Sequence, residues 1–372
     1  MKMLNREKLA KAIEERAYSD LELCNIGGAS VLVEQGGEII YKNHFGSADM
    51  QEKALSDDTL FRLASMTKPI TAVAVMILVD RSLLSLEDRI EKFYPQFSSV
   101  KIYESGEVNP VKITVKHLLT HSSGIGSGAA WIASEKTMTE KDRESVESFI
   151  EFLSKQPLSF IPGTKREYSG VGAFSVLTGI IQKITGMQYS EFLQKEIFEP
   201  CSMKDTTFEP NEEQWGRLIT MHNKRDGQNL VGATHEGCVF GKFPPKNYLG
   251  GAGLISSLND YLNFARMLMN GGEIFGNRVI SEAALAELSK PQTPGNIREW
   301  WGLGVRVITN ENVNPLPNGT FGWSGAYGTH FWVDRRNKII GIYMKNSRYD
   351  GGSGAITSKN FETDVYSSIE NA

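Results

Sequence analysis

Cysteine is scarce in this chain: Cys24, Cys201 and Cys238 are odd in number, widely spaced and free of any C-x-x-C pair. That usage excludes a disulfide framework and a cysteine zinc site, and it suits a reducing compartment. A long hydrophobic run is also missing, since the longest, Ile70 to Val79, is about half of what a bilayer crossing needs. It reads as a buried helix, and no membrane span is expected. Charge of one sign is missing as well: 40 Lys and Arg face 44 Asp and Glu, a net charge of -4. Such a chain has no basic field for phosphate backbones or anionic lipid, so nucleic acid is not an expected partner. The stretch Met1 to Arg16 is charged and amphipathic, without the apolar core and small-residue cleavage site of a secretory signal, which points to a cytoplasmic protein.

The signatures of two common hydrolase mechanisms are missing too. No H-E-x-x-H occurs among the 6 histidines, and the i, i+4 pair His117 and His121 has no acidic third ligand nearby, so neither metal nor cofactor is expected. There is no G-x-S-x-G elbow and no histidine spacing that announces a Ser-His-Asp triad. Internal repeats, low-complexity tracts and linkers are also lacking.

What is present is an ordinary globular composition of 372 residues, 40% hydrophobic and 23% charged, enough for two domains or one large domain with an inserted lobe. After an N-terminal helix, Ala29 to Glu34 and Glu38 to Lys42 are β-rich runs around Gln35-Gly36-Gly37, a hairpin signature. A second pair, Thr329 to Val333 and Ile339 to Met344, flanks the polar turn Asp334 to Lys338, and a helix over 361–369 follows. The expected fold class is therefore α+β: an antiparallel sheet built from both termini and flanked by helices, with an inserted, mostly helical lobe. We place the sheet lobe at 1–62 plus about 245–372 and the helical lobe at about 63–244, as parts of one domain. Helical spacing marks 69–81, 115–119, 145–155, 172–184 and 190–197.

Ser65-Met66-Thr67-Lys68 matches S-x-x-K, with Pro69 and the apolar run following at once. The spacing sets Lys68 beside Ser65 on the first turn of a buried helix. A serine hydroxyl is a poor nucleophile until a base takes its proton, and a lysine serves only when neutral, a form that burial favours. The helix N-terminus also offers the Ser65 N–H to a developing oxyanion. Ser98-Ser99-Val100-Lys101 matches the same pattern but precedes no apolar helix that could bury its lysine.

Together with Ile113 to Ile125, Pro162 to Ser169, Gly250 to Ser257, Trp323-Ser324-Gly325 and Gly328 to Asp334, the Ser65 block resembles the serine β-lactamase-like family. That family includes class C β-lactamases, D,D-peptidases and family VIII carboxylesterases, and the resemblance runs over nearly the whole chain. It implies that Tyr168 is a proton shuttle, with its pKa lowered or acting in concert with Lys68, and that the Ala326 N–H is the second oxyanion donor. Trp323-Ser324-Gly325 stands where other members carry Lys-Thr-Gly, and resembles the W-x-G form of the esterases. Trp131, Tyr248, Trp323, Ser324, Gly325, Tyr327 and His330 become candidate substrate contacts, while His121 is expected to cap carbonyls in a structural turn and to do no chemistry.

Two departures narrow the substrate. Gly170 replaces the asparagine that contacts the amide side chain in class C enzymes, and Trp323 replaces the lysine that attracts a lactam carboxylate. The expected function is a serine hydrolase working through an acyl-enzyme on Ser65, foremost a carboxylesterase for small or medium apolar acyl esters. β-Lactamase or D-amino-acid peptidase activity, acyl transfer and a non-catalytic penicillin-binding homologue are the alternatives. The expected partner is a small ester, amide or lactam, and the sequence leaves the oligomeric state open.

Overall fold

In the N-terminal helix, Leu9, Ile13 and Ala17 recur every fourth residue and form one buried stripe. The helix, α1 (Arg6–Glu22), is capped by the Asn5 side chain, which accepts from the Lys8 N–H. The computed structural model describes residues 3–49, 52–223, 231–233, 244–296, 298–347, 349–352 and 354–370; Cys238 and part of the segment between Trp215 and Tyr248 lie outside them.

Among the described residues the main sheet is antiparallel throughout and has eight strands. In chain order these are β1 (Gly28–Gln35), β2 (Glu38–Gly46), β3 (Thr293–Pro294), β4 (Glu299–Trp301), β5 (Arg306–Ile308), β6 (Phe321–Ser324), β7 (His330–Asp334) and β8 (Ile339–Lys345). Their order across the sheet is β3-β4-β5-β6-β7-β8-β1-β2, so the two ends of the chain meet where β8 pairs with β1. The fold is α+β, as the sequence predicts. The hairpins were legible as β-rich runs on either side of a turn, whereas β3, β4 and β5 were not, because strands of two or three residues carry too short a run to read.

Both faces of the sheet are covered, and side-chain alternation sorts the residues between them. Leu32, Phe331, Ile340 and Ile342 join the large core beneath α2 (Thr67–Asp80) and α6 (Gly172–Thr185). Val31, Val33, Trp332 and Tyr343 join a second core with Leu9, Ile13, Phe361 and Val365. The second core packs α1 and the C-terminal helix α8 (Ile356–Ser367) on the opposite face. Between these elements in sequence lie α3 (Val115–Leu119), α4 (Gly128–Glu135), α5 (Val146–Ser154) and α7 (Leu258–Met269).

α2 positions the site. Every residue from Thr67 to Leu78 is buried, so the helix is apolar all round and lies inside the molecule. Its lead-in is fixed from two sides. Leu60–Arg62 pairs antiparallel with Ile255–Ser257, and the Leu63 carbonyl accepts from Thr329 Oγ1 at 2.8 Å.

Candidate active site

Ser65 stands in a single 3-10 turn, Ala64–Met66, that runs directly into α2. Ala64, just before it, has φ of +47°, a conformation that costs a residue with a Cβ and turns the chain sharply at the serine. Lys68 lies one turn on and is wholly buried, with Nζ 3.3 Å from Ser65 Oγ. Nζ also donates to the Gly170 carbonyl at 2.7 Å and the Gly251 carbonyl at 2.8 Å. Burial holds the amine well below the ordinary lysine range. A neutral amine has two N–H donors and one lone pair. The two carbonyls occupy the donors, leaving the lone pair for the Ser65 hydroxyl.

The Tyr168 hydroxyl donates to Ser65 Oγ at 2.5 Å. Burial pushes the phenol up to about 12, with its hydrogen bonds to Ser65 and with Trp323 opposing the rise. Tyr168 as a whole residue is 40% exposed, against 7% for Ser65. The phenol therefore stays protonated at neutral pH, which favours proton passage in concert with its neighbours over a pre-formed phenolate. Together the three groups can take a proton from serine and return one to a leaving group.

Neither the Ser65 nor the Ala326 N–H is a donor in a turn or loop backbone hydrogen bond among the described residues. The turn carrying Ala326 is bolted to the serine segment at Gly325, where a Cβ would stand 2.1 Å from Thr329 Oγ1 and 2.3 Å from the Leu63 carbonyl oxygen. Only glycine fits so close an approach.

The candidate contacts divide. Trp323 faces the site as one wall of an aromatic box, its ring 6.1 Å from Tyr168, 6.0 Å from His121 and 5.4 Å from Trp301. Ser324 and His330 point the other way, because adjacent strand residues alternate faces. His330 is buried on the α8 side, where Ser324 Oγ lies 2.8 Å from Nδ1 and Glu362 Oε1 lies 3.0 Å from Nε2. Tyr327 is buried against Ala64 and Met221, Trp131 packs on Phe149, and Tyr248 packs on Phe208. A Cβ built on Gly170 meets nothing within 4 Å, so open space lies where class C enzymes would project an asparagine. The second S-x-x-K is exposed at both Ser98 and Lys101.

Among the described residues, two serine-histidine-acid alignments occur elsewhere. One is Ser324-His330-Glu362, and the other joins Ser30 to His44 at 2.7 Å and His44 to Asp57 at 3.0 Å. Ser324 Oγ is turned to His330 on the α8 side of the sheet, away from Ser65, and Ser30 is wholly buried.

Sequence reasoning missed Trp301, which sits on the short strand β4, and it gave His121 the wrong hydrogen-bonding sense. His121 accepts from the Ser169 N–H through Nδ1 at 3.1 Å and caps no carbonyl through that atom. The aromatic pair Trp300-Trp301 was the one available signal for the first.

An antiparallel sheet covered on both faces, with a serine and a buried lysine at the head of an internal helix, defines the serine β-lactamase fold. The chain belongs to the Beta-lactamase family, whose model matches residues 14–360. It is 30% identical to esterase EstB of Burkholderia gladioli over 364 residues, covering 89% of this chain and 88% of that protein. Protein Rv1367c of Mycobacterium tuberculosis is 29% identical over 357 residues, with 87% of each chain covered. Among solved structures, EstCE1, "a hydrolase with promiscuous acyltransferase activity", superposes with a TM-score of 0.84 at 22% identity, covering 97% of this chain and 99% of that one. With these relatives the chain is a hydrolase of the serine β-lactamase fold.

Proposed function

We propose that this protein is a carboxylesterase for small or medium apolar acyl esters. The observation that carries the reading is the Lys68 amine, buried and bound to two carbonyls, whose remaining valence faces Ser65. In this mechanism Ser65 Oγ attacks the ester carbonyl carbon and its proton passes to Lys68. The carbonyl oxygen becomes an oxyanion held by the Ser65 and Ala326 N–H groups. As the intermediate collapses, the C–O bond to the alcohol breaks and Tyr168 gives that oxygen a proton. The Lys68 ammonium then returns its proton to the Tyr168 phenolate. Water attacks the acyl-enzyme and loses a proton to Lys68, and collapse breaks the acyl bond to Ser65 Oγ, which takes that proton back as the acid leaves.

The aromatic box and the open space at Gly170 suit an apolar acyl group, and Trp323 supplies no positive charge for a lactam carboxylate. The named activity of EstB supports the same choice. The cleft between the sheet lobe and the helical lobe would admit the substrate.

Intact-mass spectrometry of wild type and Ser65→Ala after brief exposure to p-nitrophenyl butyrate, and separately to nitrocefin, tests this. The expected result is a butyryl adduct and chromophore release that both vanish in Ser65→Ala, with little nitrocefin hydrolysis. Fast nitrocefin turnover would replace the esterase reading with a β-lactamase one. Near-normal turnover in Ser65→Ala, or neither adduct nor turnover in wild type, would sink the mechanism.

A further inference from the structure

His121 brackets Tyr168. Its carbonyl accepts from the Glu167 N–H at 3.0 Å, and its ring Nδ1 accepts from the Ser169 N–H at 3.1 Å. One residue thus holds the backbone on both sides of the phenol, and the two rings lie 4.8 Å apart. Because Nδ1 accepts, the neutral ring carries its proton on Nε2. That Nε2 is buried without a hydrogen-bond partner among the described residues, with the ring edge-on to Trp301 at 4.3 Å. The backbone of His121 is also left-handed, with φ of +54°. An orphaned buried donor and a strained backbone are each unfavourable, and they persist together where the surroundings demand them. Burial, with Lys68 and Arg166 nearby, holds the imidazole well below the ordinary histidine range and so keeps Nδ1 free to accept.

We propose that His121 is a positioning residue that acts through Tyr168: its carbonyl and Nδ1 fix the 167–169 backbone so that the phenol reaches Ser65 Oγ at 2.5 Å. This rests on the reading of Tyr168 as the proton shuttle. Tyr168 could swing away from Ser65 with the loss of either bond, and a displacement of that size costs rate without loss of binding.

Three substitutions separate the acceptor from the ring and from the backbone strain. His121→Asn offers Oδ1 near the Nδ1 position and tolerates left-handed φ. His121→Gln puts its oxygen nearer the Nε2 position, and His121→Gly relieves the strain but has no acceptor. With p-nitrophenyl butyrate, His121→Asn is expected to keep kcat within a few-fold of wild type. His121→Gln and His121→Gly are expected to lose kcat on the order of 10- to 100-fold at similar KM. Adding either to Tyr168→Phe should cost nothing further, whereas a purely structural residue would give an additive loss. Wild-type kcat in His121→Gln, equal damage in His121→Asn and His121→Gln, or additivity with Tyr168→Phe would overturn the positioning role alone. Full turnover in Tyr168→Phe would overturn the shuttle reading, and the positioning role with it.

Discussion

Lys68 carries two demands that a single residue rarely meets, since it must be buried enough to be neutral and polar enough to be satisfied. The Gly170 and Gly251 carbonyls meet the second demand, and Gly251 leaves the room, since a Cβ there would stand 3.2 Å from Nζ. The sign of the pH dependence follows. Burial lowers the Lys68 pKa, so the active neutral amine is fully present above the depressed value and is lost as pH falls through it. Tyr168 loses its proton only near 12. The kcat/KM profile should therefore stay flat through the ordinary lysine value of 10.5 and fall only on its acid side. An acid limb centred at the ordinary lysine value would contradict the neutral-base reading. Lys68→Arg, which keeps a permanent charge, and Lys68→Ala should each lose at least about 1000-fold in kcat. Ser65 and Lys68 were legible because their spacing and the apolar run that buries the lysine are both local. Ser324 and His330 were misplaced because a family block names residues without saying which face of a strand each takes.

The turn between β6 and β7 carries Ala326, the second donor of the proposed oxyanion site. It is tied to the serine segment by the Thr329 hydroxyl on the Leu63 carbonyl and by the backbone approach at Gly325. Gly325→Ala forces those atoms apart and should lower kcat on the order of 100-fold, with circular dichroism unchanged. Thr329→Val removes only the hydroxyl bond of 2.8 Å and should cost less, about 10-fold. Equal, negligible effects would mean that the turn holds itself in place. Among the elements, α2, α6 and the two hairpins were readable to within a few residues of their ends, whereas the N-terminal helix, read over Met1 to Arg16, runs Arg6–Glu22. The C-terminal helix begins at Ile356 rather than Phe361, since Asp350 accepts from the Ile356 and Thr357 N–H groups and caps its start. The cap comes from six residues upstream, outside the local pattern.

Across the whole molecule, one charged cluster ties α8 to the sheet. Arg306 is ion-paired to Glu362, lies 3.4 Å from Glu299, and is fully enclosed with His330. Burial acts to raise the Glu362 pKa, but Arg306 and His330 outweigh it and hold the carboxyl at about 2. A carboxylate depressed on folding stabilises the fold above its ordinary value of 4.5, and that stability is lost as pH falls through about 2. Glu362→Gln leaves Arg306 short of a counter-charge and should cost roughly 3 kcal/mol at neutral pH. Urea midpoints at neutral pH and at about pH 3 check this, because the gap from wild type should be narrower at the acid end. A gap that does not narrow would show that the carboxyl's charge contributes nothing.

By itself the sequence determined the α+β class, the closing of both termini into one sheet, and the serine with its buried lysine, because hydrophobic period and short spacing encode these within a few residues. Tertiary structure decided the rest. It chose the two carbonyls that leave the lysine its lone pair, the face to which each of Trp323, Ser324 and His330 points, and the clamp of His121 on the Tyr168 backbone. Each depends on groups tens or hundreds of residues apart, brought within 4 Å only when the sheet and its helices bury their faces on one another.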